Sequence, residues 1–507
     1  MSAAWQTGRF YLVVFIASAC TLVLEIVAGR LLAPHLGVSL YTWTSIIGVV
    51  LAGISVGNYL GGRLADRFPT PSTLGLCLLG GSLTSFATLA AVTSLHETTF
   101  DLAPLPRILL MTAGLFFLPS CVLGMVTPLV VKQALTSLAR TGSIVGQLYA
   151  ISTAGSIVGV YLAGFVLIGR FGTRTVVFMV AIVLLLLALL FGHLHRARWL
   201  GAALLVGTLA LAGNAARPTV RSDNCTLETN YFCIRVTDVV RLDQPVKRLQ
   251  LDQLVHSFNS LTDPQLLVYG YVQIAAEAAQ YVAEREPRFR TLFLGGGGYT
   301  LPRALEARYP GASAEVIEID EVVTQVAHTH MGLDRDTRVV TYNEDARMAV
   351  RGLPTHSYHL IFGDTFNDFS VPYHLTTLEF SHQIRDLLVE DGIYVTNIVD
   401  KLIDGRFLKA FVRTLQQVFP YVYVLGESDG IILADVPQRG TFVVAAAAQP
   451  IEFEQFGAYP DPGAAAATTR VMDQSAMRAW LDTGPSEILT DDHVPVDTML
   501  APLFLER

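Results

Sequence analysis

The stretch that decides the fold is TLFLGGGGYTLPRALEARYPGASAEVIEID, residues 291–320. An apolar run of strand type opens it, and a second such run after a helical segment carries Glu318 and Asp320. Between the first run and the helix lie Gly295, Gly296, Gly297 and Gly298. Glycines allow a tight turn and a close approach to a ligand, and an acid ending the second strand binds ribose hydroxyls. The stretch therefore predicts a strand, turn, helix, strand unit that forms a nucleoside-binding crevice.

The loop favours one kind of nucleoside. Thr300 stands where a dinucleotide-binding loop has its third glycine, which argues against a pyrophosphate site. S-adenosylmethionine, which has no phosphates, is therefore predicted rather than NAD. A purely structural turn is the alternative, and the flanking strands with the spaced acid make it the weaker interpretation.

The composition changes along the chain. Its 507 residues exceed the usual size of one domain. The 52% hydrophobic content is an average over two unlike halves that meet near Arg217, because most Asp and Glu residues follow that point. The net charge of -8 comes mainly from the second half and leaves no basic patch, so nucleic acid is not an expected partner.

The first half consists of apolar segments suited to a lipid bilayer. Most are long enough to cross about 30 Å of hydrocarbon as helices, and they do not form a cleaved signal peptide. Seven are predicted, with six as the alternative because the last is short enough to be interfacial or tilted. They are residues 10–28, 43–62, 74–94, 108–131, 144–168, 175–191 and 199–213.

Small and charged residues within these segments carry separate predictions. Glycines such as Gly57 and Gly159 are expected to let helices pack closely. Glu25 lies deep in the first segment, where a carboxylate is costly unless it is paired or faces water, so it is a candidate functional residue. An ion pair with Arg30 is the structural alternative. The run GNYLGGRLADRF, residues 57–68, resembles a cytoplasmic loop of major facilitator transporters.

The membrane topology depends on the number of spans. If the first segment starts inside, more basic residues lie on the cytoplasmic side than outside. They are Arg9, Arg63, Arg67, Lys132, Arg140, Arg196 and Arg198 inside, against Arg30, Arg107, Arg170 and Arg174 outside. Seven spans would place the second half outside, where Cys225 and Cys233 could form a disulfide. S-adenosylmethionine is a cytosolic metabolite, however, so a cytosolic second half is the expectation.

The second half has a β-rich start and then alternates strands with helices. Residues 224–260 alternate apolar and polar side chains, which predicts short antiparallel strands. A helix at residues 266–283 brings Tyr269 and Tyr271 near the glycine loop. The rest predicts a doubly wound, Rossmann-like sheet of the methyltransferase type. Its strands are residues 291–294, 314–319, 338–342, 358–363, 392–398, 421–425 and 441–446.

Four parts are thus expected along the chain. A transmembrane helical domain covers residues 1–216, and a β-rich lead-in domain covers 217–262. The nucleoside-binding α/β domain covers 263–450, and a C-terminal segment, 451–507, docks on it.

Acidic residues follow three strands of the predicted sheet. Ligands of such sheets bind outside the carboxyl ends of the strands, where Glu318, Asp345 and Asp364 lie. We expect these three to converge on one crevice, with Asn367 and Asp368 just behind. The alternative for each Asp is a helix cap or a turn, which is weaker for the set than for Asp368 alone.

At this point the second half resembles a known family. The pieces ETNYFCIRV, LQLDQLVHS, LGGGGY, EIDE, NEDAR and FGDTFND are similar to those of spermidine synthase and its aminopropyltransferase relatives. The N-terminal membrane region and the final LTDDHVPVD resemble the membrane-bound bacterial members. The resemblance implies that Glu318 binds ribose, Asp345 contacts adenine and Asp364 activates the attacking amine. It also implies polyamine biosynthesis, a homodimer and a bacterial inner (plasma) membrane location.

Three positions depart from the family pattern. Gly298 stands where the family loop, GGGDG, has the Asp that holds the amino group of the donor. Asn367 replaces the second acid of a DSSDP-like loop, and His256 stands in place of a polyamine-binding Gln. A diamine needs carboxylates, because a buried unpaired ammonium is costly. The nucleoside pocket is therefore expected to be intact and the polyamine pocket altered.

The residues suit attack at a carbon next to a sulfonium. Because the sulfur is a good leaving group, the protein has to position the nucleophile, remove water and supply a base. Asp364 is the predicted base, and Tyr269, Tyr271 and His256 would shape the acceptor side. No metal is expected, since the histidines and cysteines lack metal-site spacing.

Three functions stay open on the sequence. The leading one is alkyl transfer from decarboxylated S-adenosylmethionine to an amine, which releases methylthioadenosine. Intact S-adenosylmethionine could instead undergo a lyase, cyclase or methyl-transfer reaction without a polyamine acceptor. A transporter or sensor that is regulated by a nucleoside and uses Glu25 is the alternative of another class.

Overall fold

The computed structural model describes residues 3–135, 141–194, 198–217, 225–365, 371–427, 439–460, 468–485 and 487–505. The chain forms two compact units, Met1–Cys233 and Ile234–Arg507. The boundary falls at the start of a β-strand, and each unit has its own hydrophobic core.

The first unit is a bundle of long apolar helices. Six described helices are long and apolar enough to cross a membrane: α1 (Gly8–Leu36), α2 (Leu40–Arg67), α3 (Pro71–Thr99), α4 (Pro104–Ala134), α5 (Thr141–Phe171) and α6 (Thr173–Phe191). A further helix, α7 (Arg198–Ala215), is apolar but shorter. The predicted membrane-type bundle is confirmed, with six long helices and the seventh segment as the short one.

Small residues bring the helices of the bundle into backbone contact. A Cβ added at Gly53 of α2 would lie 2.8 Å from the Cβ of Ser120 in α4, and one at Gly57 would collide with the carbonyl of Cys121. Gly155 and Gly159 of α5 approach the backbone of α1 in the same way. The packing role predicted for such glycines is confirmed.

Helix α4 is adjusted where it carries Pro119. A proline inside a helix leaves the carbonyl four residues earlier without its usual partner. The turn before it, Ala113–Phe117, is π-helical, and the Thr88 hydroxyl donates to the Leu115 carbonyl at 2.9 Å. Helix α3 thus supplies the hydrogen bond that Pro119 removes.

An antiparallel meander opens the second unit, after a two-residue strand, β1 (Leu227–Glu228), that belongs to the first. The strands of the meander are β2 (Cys233–Arg241), β3 (Gln244–Leu251) and β4 (Leu254–Asn259). The turn between β2 and β3 has positive φ at Leu242 and Asp243 (48° and 57°), as a type I′ hairpin requires. The predicted β-rich lead-in is confirmed.

An eight-stranded mixed sheet forms the body of the second unit. Its strands are β5 (Arg290–Leu294), β6 (Ser313–Ile317), β7 (Val340–Tyr342), β8 (Tyr358–Gly363), β9 (Leu388–Lys401), β10 (Tyr421–Gly426), β11 (Arg439–Ala447) and β12 (Arg470–Val471). They lie in the order β12-β10-β11-β9-β8-β5-β6-β7. Strands β5 to β9 pair in parallel, and β10, β11 and β12 add antiparallel pairs. The chain reverses its winding direction between β5 and β8, where a doubly wound sheet binds its ligand.

Alternate residues of the central strands face opposite sides of this sheet. In β5, Leu292 and Leu294 join one core and Phe293 joins the other, and Ile361 and Phe362 of β8 divide in the same way. Helices cover both faces. They are α8 (Gly270–Arg285), α9 (Thr300–Arg308), α10 (Glu321–His330), α11 (Ala346–Ala349), α12 (Leu378–Leu387), α13 (Phe407–Leu415) and α14 (Gln474–Asp482).

The predicted strands match the observed ones to within four residues at each end, and residues 358–363 match at both ends. Strand β12 is missed, because two residues are too few to show a pattern. In the C-terminal segment, Leu489 is buried, and its carbonyl accepts a hydrogen bond from the Leu378 N–H at 2.7 Å.

Candidate functional site

The four glycines form the loop between β5 and α9. Gly295 and Gly297 have positive φ (93° and 49°), a conformation that residues with side chains rarely adopt. The Gly295 N–H donates to the Ile317 carbonyl at 2.8 Å, and a Cβ on Gly295 would overlap the carbonyl of Asp364. The loop therefore lies where the carboxyl ends of β5, β6 and β8 meet.

Glu318, which follows β6, binds this loop directly. Its Oε2 accepts hydrogen bonds from the N–H groups of Gly296 (2.8 Å) and Gly297 (3.2 Å), and its Oε1 accepts one from Asp320 (3.0 Å). Burial raises the pKa of Glu318, and these three N–H groups oppose the rise. The predicted ribose-binding acid is thus held against the glycine loop.

Asp364 is the first residue after β8 and lies beside Gly295. Its N–H donates to the Leu294 carbonyl at 2.8 Å, and its Oδ2 accepts a hydrogen bond from the Tyr271 hydroxyl at 3.2 Å. Burial raises the pKa of Asp364 to about 6, against hydrogen bonds from Tyr271 and Asn397 that favour the carboxylate. A carboxyl group that titrates near neutral pH is a competent proton acceptor.

Asp345 follows β7 and uses both carboxylate oxygens within the protein. Its Oδ1 accepts hydrogen bonds from the N–H groups of Arg347 (2.9 Å) and Met348 (3.2 Å), which caps α11. Its Oδ2 lies 2.9 Å from Nε2 of His374. The cap that was the structural alternative is therefore formed, and an adenine contact would have to displace His374.

The C-terminal segment reaches this part of the site through an ion pair that the sequence pattern does not reveal. Arg347 donates to the two carboxylate oxygens of Asp491 at 2.7 and 2.5 Å and to the His374 carbonyl at 2.7 Å. Hydrogen bonds from Arg347 lower the pKa of Asp491. Arg347 therefore binds both His374, which contacts Asp345, and Asp491 of the C-terminal segment.

Strand β4 holds the other side of the glycine loop. The Gly298 N–H donates to Ser257 Oγ at 2.9 Å, and the Asn259 side-chain amide donates to the Gly298 carbonyl at 2.6 Å. A Cβ on Gly298 would lie 2.6 Å from the Cβ of Ser257, so an Asp here would require β4 to move. Sequence reasoning missed Ser257 and Asn259, whose only signal is their place on a strand beside His256.

The residues predicted for the acceptor side have different surroundings. Tyr271 contacts Asp364, as described. The Tyr269 hydroxyl donates to the Val255 carbonyl at 3.0 Å, and its ring lies 5.5 Å from the Tyr271 ring between centroids. His256 is half-buried on β4. Tyr271 is therefore the member of this group that touches the predicted base.

Other candidates lie elsewhere. Asn367 and Asp368 are outside the described residues. Glu25 is half-buried in α1 of the first unit. Arg30 donates to main-chain carbonyls, including that of Thr229 at 2.9 Å, and not to Glu25. The ion-pair interpretation of Glu25 is therefore wrong, because the Arg30 side chain is used to hold another segment of the chain.

These features define the class of protein. A doubly wound sheet, a glycine loop with positive φ, a buried acid after the second strand of the sheet and a partly buried carboxyl group after the fourth form a Rossmann-like domain of the methyltransferase type. A bundle of membrane-type helices precedes it.

Part of the chain is similar in sequence to polyamine aminopropyltransferases. The chain is 32% identical over 139 residues to a polyamine aminopropyltransferase of Vibrio vulnificus, a match that covers 27% of this chain and 46% of that protein. It is 29% identical over 149 residues to a probable polyamine aminopropyl transferase of Bifidobacterium longum, covering 29% of this chain and 31% of that protein. The chain thus spans less than half the length of these curated relatives. No family model matches it.

Among solved structures, a probable spermidine synthase from Corynebacterium glutamicum aligns with a TM-score of 0.44 and 21% identity, over 51% of this chain and 92% of that one. The similarity to polyamine aminopropyltransferases that the motifs predict is confirmed by the sequence matches.

Proposed function

We propose that this chain is a membrane-bound, spermidine synthase-like transferase. It would use decarboxylated or intact S-adenosylmethionine, transfer an alkyl group from the sulfonium and release methylthioadenosine. The observation that carries the proposal is Asp364, a partly buried carboxyl group whose pKa is raised to about 6 and which Tyr271 contacts beside the glycine loop. Alkyl transfer to an amine needs a base in such a position.

The glycine loop and Glu318 are the proposed nucleoside site. A ligand can approach the backbone closely there, because Gly295 and Gly297 carry no side chains. Glu318 would exchange its loop N–H partners for ribose hydroxyls. Asp345 would turn from His374 to the adenine amino group.

Asp364 is the proposed catalytic base. The donor supplies a sulfonium, from which sulfur leaves as a neutral thioether. A bond forms between the acceptor nitrogen and the carbon next to sulfur, and the nitrogen gives its extra proton to Asp364. The Tyr271 hydroxyl orients the carboxylate towards the acceptor nitrogen.

A second candidate reaction rests on Gly298. Ser257 fills the space beside it, so the loop has no carboxylate where the resembled family holds the amino group of the donor. A lyase, cyclase or methyl-transfer reaction of intact S-adenosylmethionine, without a polyamine acceptor, also fits this loop.

Mass spectrometry of the products separates the two. Purified full-length protein is incubated with intact or decarboxylated donor, each with and without putrescine. Methylthioadenosine that forms only from decarboxylated donor plus amine supports the leading proposal, and methylthioadenosine from intact donor alone supports a lyase or cyclase, whereas S-adenosylhomocysteine would indicate methyl transfer. Binding without turnover of either donor would refute the aminopropyl transfer and the lyase or cyclase reaction, and would favour a nucleoside-regulated transporter or sensor that uses Glu25.

Substitution of the base provides the next test. Asp364→Asn is expected to lower turnover on the order of 10²–10⁴-fold, as loss of a general base does, while calorimetry still detects methylthioadenosine binding. Asp400→Asn is the matched control: burial also raises the pKa of Asp400 to about 6, but its carboxylate accepts main-chain N–H groups of Lys401 and Leu408. Equal losses of turnover in both variants would refute the role of Asp364.

The surroundings of the enzyme are part of the same proposal. The bundle would hold it in a bacterial inner membrane, in contact with the lipid bilayer. The homodimer implied by the resembled family is tested by light scattering of the detergent-solubilised protein.

A further inference from the structure

The helices of the first unit fix two ends of the bundle. We call the end where α1 starts the near end and the end where α1 finishes, at Leu36, the far end. Helix α5 runs alongside α1 in the same direction, since the Tyr11 hydroxyl donates to Gln147 at 2.6 Å and the hydroxyls of Ser18 and Ser152 lie 2.8 Å apart. Helix α5 therefore also finishes at the far end.

Helices α3 and α6 run in opposite directions. Ser82 donates to the Ala181 carbonyl at 2.7 Å, and Arg174 donates to the Leu89 carbonyl at 3.4 Å. Helix α6 begins just after α5, at the far end, and therefore finishes at the near end. The hydrogen bond from Ser72, at the start of α3, to the His193 carbonyl (3.4 Å) agrees with this direction.

Helix α7 returns from the near end towards the far end. It begins within a few residues of His193 and lies against α3, where a Cβ on Gly207 would be 3.5 Å from the Leu83 side chain, about halfway along α3. Its 18 residues measure about 27 Å at 1.5 Å per residue, close to the roughly 30 Å of a bilayer core. Helix α7 is therefore long enough for a seventh crossing, despite its modest length.

The segment after α7 binds at the far end. Arg30, near the end of α1, donates to the carbonyls of Thr229 (2.9 Å) and Tyr231. Glu228 accepts the N–H of Thr173, at the start of α6, at 3.0 Å and its hydroxyl as well. A disulfide between Cys225 and Cys233 closes this segment, which we call the exit loop, residues 225–233.

The basic residues at the two ends differ in their surroundings. At the near end Arg63 and Arg67 are exposed, and the Lys132 side chain is 45% exposed. At the far end Arg107 is 9% and Arg174 is 5% exposed, and of the arginines there Arg170 is the exposed one. Basic residues that remain in the aqueous phase mark the cytoplasmic side, so the charge bias assigns the near end to the cytoplasm.

We propose that the chain crosses the membrane seven times, so that the exit loop and the domain that follows it lie on the extracytoplasmic side. Two independent observations agree: the path of α7 to the far end, and a disulfide of the kind that persists in oxidising compartments. This reverses the expectation of a cytosolic second half, which rested only on where S-adenosylmethionine is found. The proposed donor would then have to reach the site from that side, or through the membrane.

Labelling of cysteines in spheroplasts tests this topology without any assay of activity, so it stands or falls independently of the proposed function. Full-length variants D66C and D482C carry the probe at side chains that are 74% and 82% exposed, and the parent chain is the blank. A membrane-impermeant maleimide is expected to label D482C in intact spheroplasts and D66C only after lysis. The reverse pattern, or any result in which both positions share one side, overturns the proposal.

A thiol count gives a second readout on the unmodified protein. The chain has five cysteines, of which Cys20, Cys77 and Cys121 are free in the structure. Protein denatured without reductant is expected to show three titratable thiols, and C225S to show four, because Cys233 loses its partner. Five thiols in the parent protein would contradict an oxidising environment for the exit loop.

Discussion

Asp364 combines partial burial, which raises its pKa to about 6, with hydrogen bonds that favour the carboxylate. Glu318 follows a different strand but borders the same glycine loop, and its carboxylate accepts three N–H groups, whereas a tyrosine hydroxyl contacts Asp364. The two acids therefore differ in what they can do: Glu318 is suited to accept hydrogen bonds from a bound nucleoside and Asp364 to accept a proton.

The pH dependence of the proposed reaction follows from Asp364. Since the base acts as a carboxylate, kcat/KM is expected to reach a plateau above about pH 6 and to fall below it. Tyr271→Phe removes a hydrogen bond that favours the carboxylate, so the pKa of Asp364 rises and the acid limb moves to higher pH. Tyr269→Phe is the control, because that hydroxyl donates to a main-chain carbonyl. The pH–rate profile of kcat/KM measures this. If the acid limb of Tyr271→Phe matched that of the parent, Tyr271 would not set the pKa of Asp364.

Gly298 tests why the loop lacks an acid. Gly298→Asp is expected to destabilise the protein by about 1–3 kcal/mol, as overpacking does, because its Cβ would meet Ser257 at 2.6 Å. Adding Ser257→Gly should recover most of the stability and, if the acid then holds the donor's amino group, tighten binding of decarboxylated donor. Thermal unfolding and calorimetry measure the two effects. If Gly298→Asp alone were as stable as the parent, β4 would be shown to move at little cost.

Individual elements owe their positions to partners distant in sequence. Helix α4 carries Pro119, which has no N–H to donate to the Leu115 carbonyl, and the Thr88 hydroxyl of α3 donates to that carbonyl instead. Gly53, Gly57 and Gly61 of α2 determine how close α4 comes, since a side chain at any of the three would meet the α4 backbone. In the second unit, Arg347 of α11 binds the C-terminal segment through Asp491.

The bundle offers a matched pair of glycines. Gly57→Ala is expected to cost about 1–3 kcal/mol, because the new Cβ would overlap the Cys121 carbonyl. Gly62→Ala should be neutral or slightly stabilising, since nothing lies within 4 Å of a Cβ there and alanine favours helix. Thermal stability in one detergent compares them, and equal melting temperatures would refute the close contact of α2 with α4.

The ion pair of Arg347 with Asp491 is expected to make a small contribution to the stability of the protein. The Asp491 side chain is 45% exposed, so solvent screening limits the loss in Asp491→Asn to about 0.5–1 kcal/mol. Because Arg347 lowers the pKa of Asp491, this contribution is present at neutral pH and is lost as the pH falls through that lowered pKa. Limited proteolysis should release the C-terminal segment faster in this variant than in Asp482→Asn, whose side chain is 82% exposed. Similar rates would mean that the buried Leu489 alone holds the segment.

The two units of the chain differ in the side chains that they expose. Large apolar side chains of the bundle point outwards, among them Phe165 (81% exposed), Leu190 (70%) and Val206 (66%). Such a surface is suited to lipid, because exposing it to water is unfavourable. The second unit instead buries its apolar residues on the two faces of one sheet.

Membrane extraction tests this division. The full chain is expected to remain in the membrane pellet after alkaline carbonate and to be released by detergent, as a protein held by apolar helices should. Release by carbonate would mean that the bundle only rests on the membrane surface, which would contradict the crossings proposed above.

Local sequence was sufficient for the elements and for part of the site. Apolar runs of membrane length predicted the bundle, and apolar runs of period two predicted the sheet. Glycines at a strand end predicted the loop, and acids after successive strands predicted Glu318 and Asp364 as site residues. These signals depend on residues close together in the chain. Contacts between distant segments carried no such signal. Ser257 against Gly298, His374 against Asp345, Arg347 on Asp491 and Arg30 on the exit loop each join residues 29 or more positions apart. The packing of whole elements decides that His374 occupies an Asp345 oxygen and that Ser257 fills the space beside Gly298. It also decides at which end of the bundle the exit loop lies. No single stretch of sequence encodes these contacts.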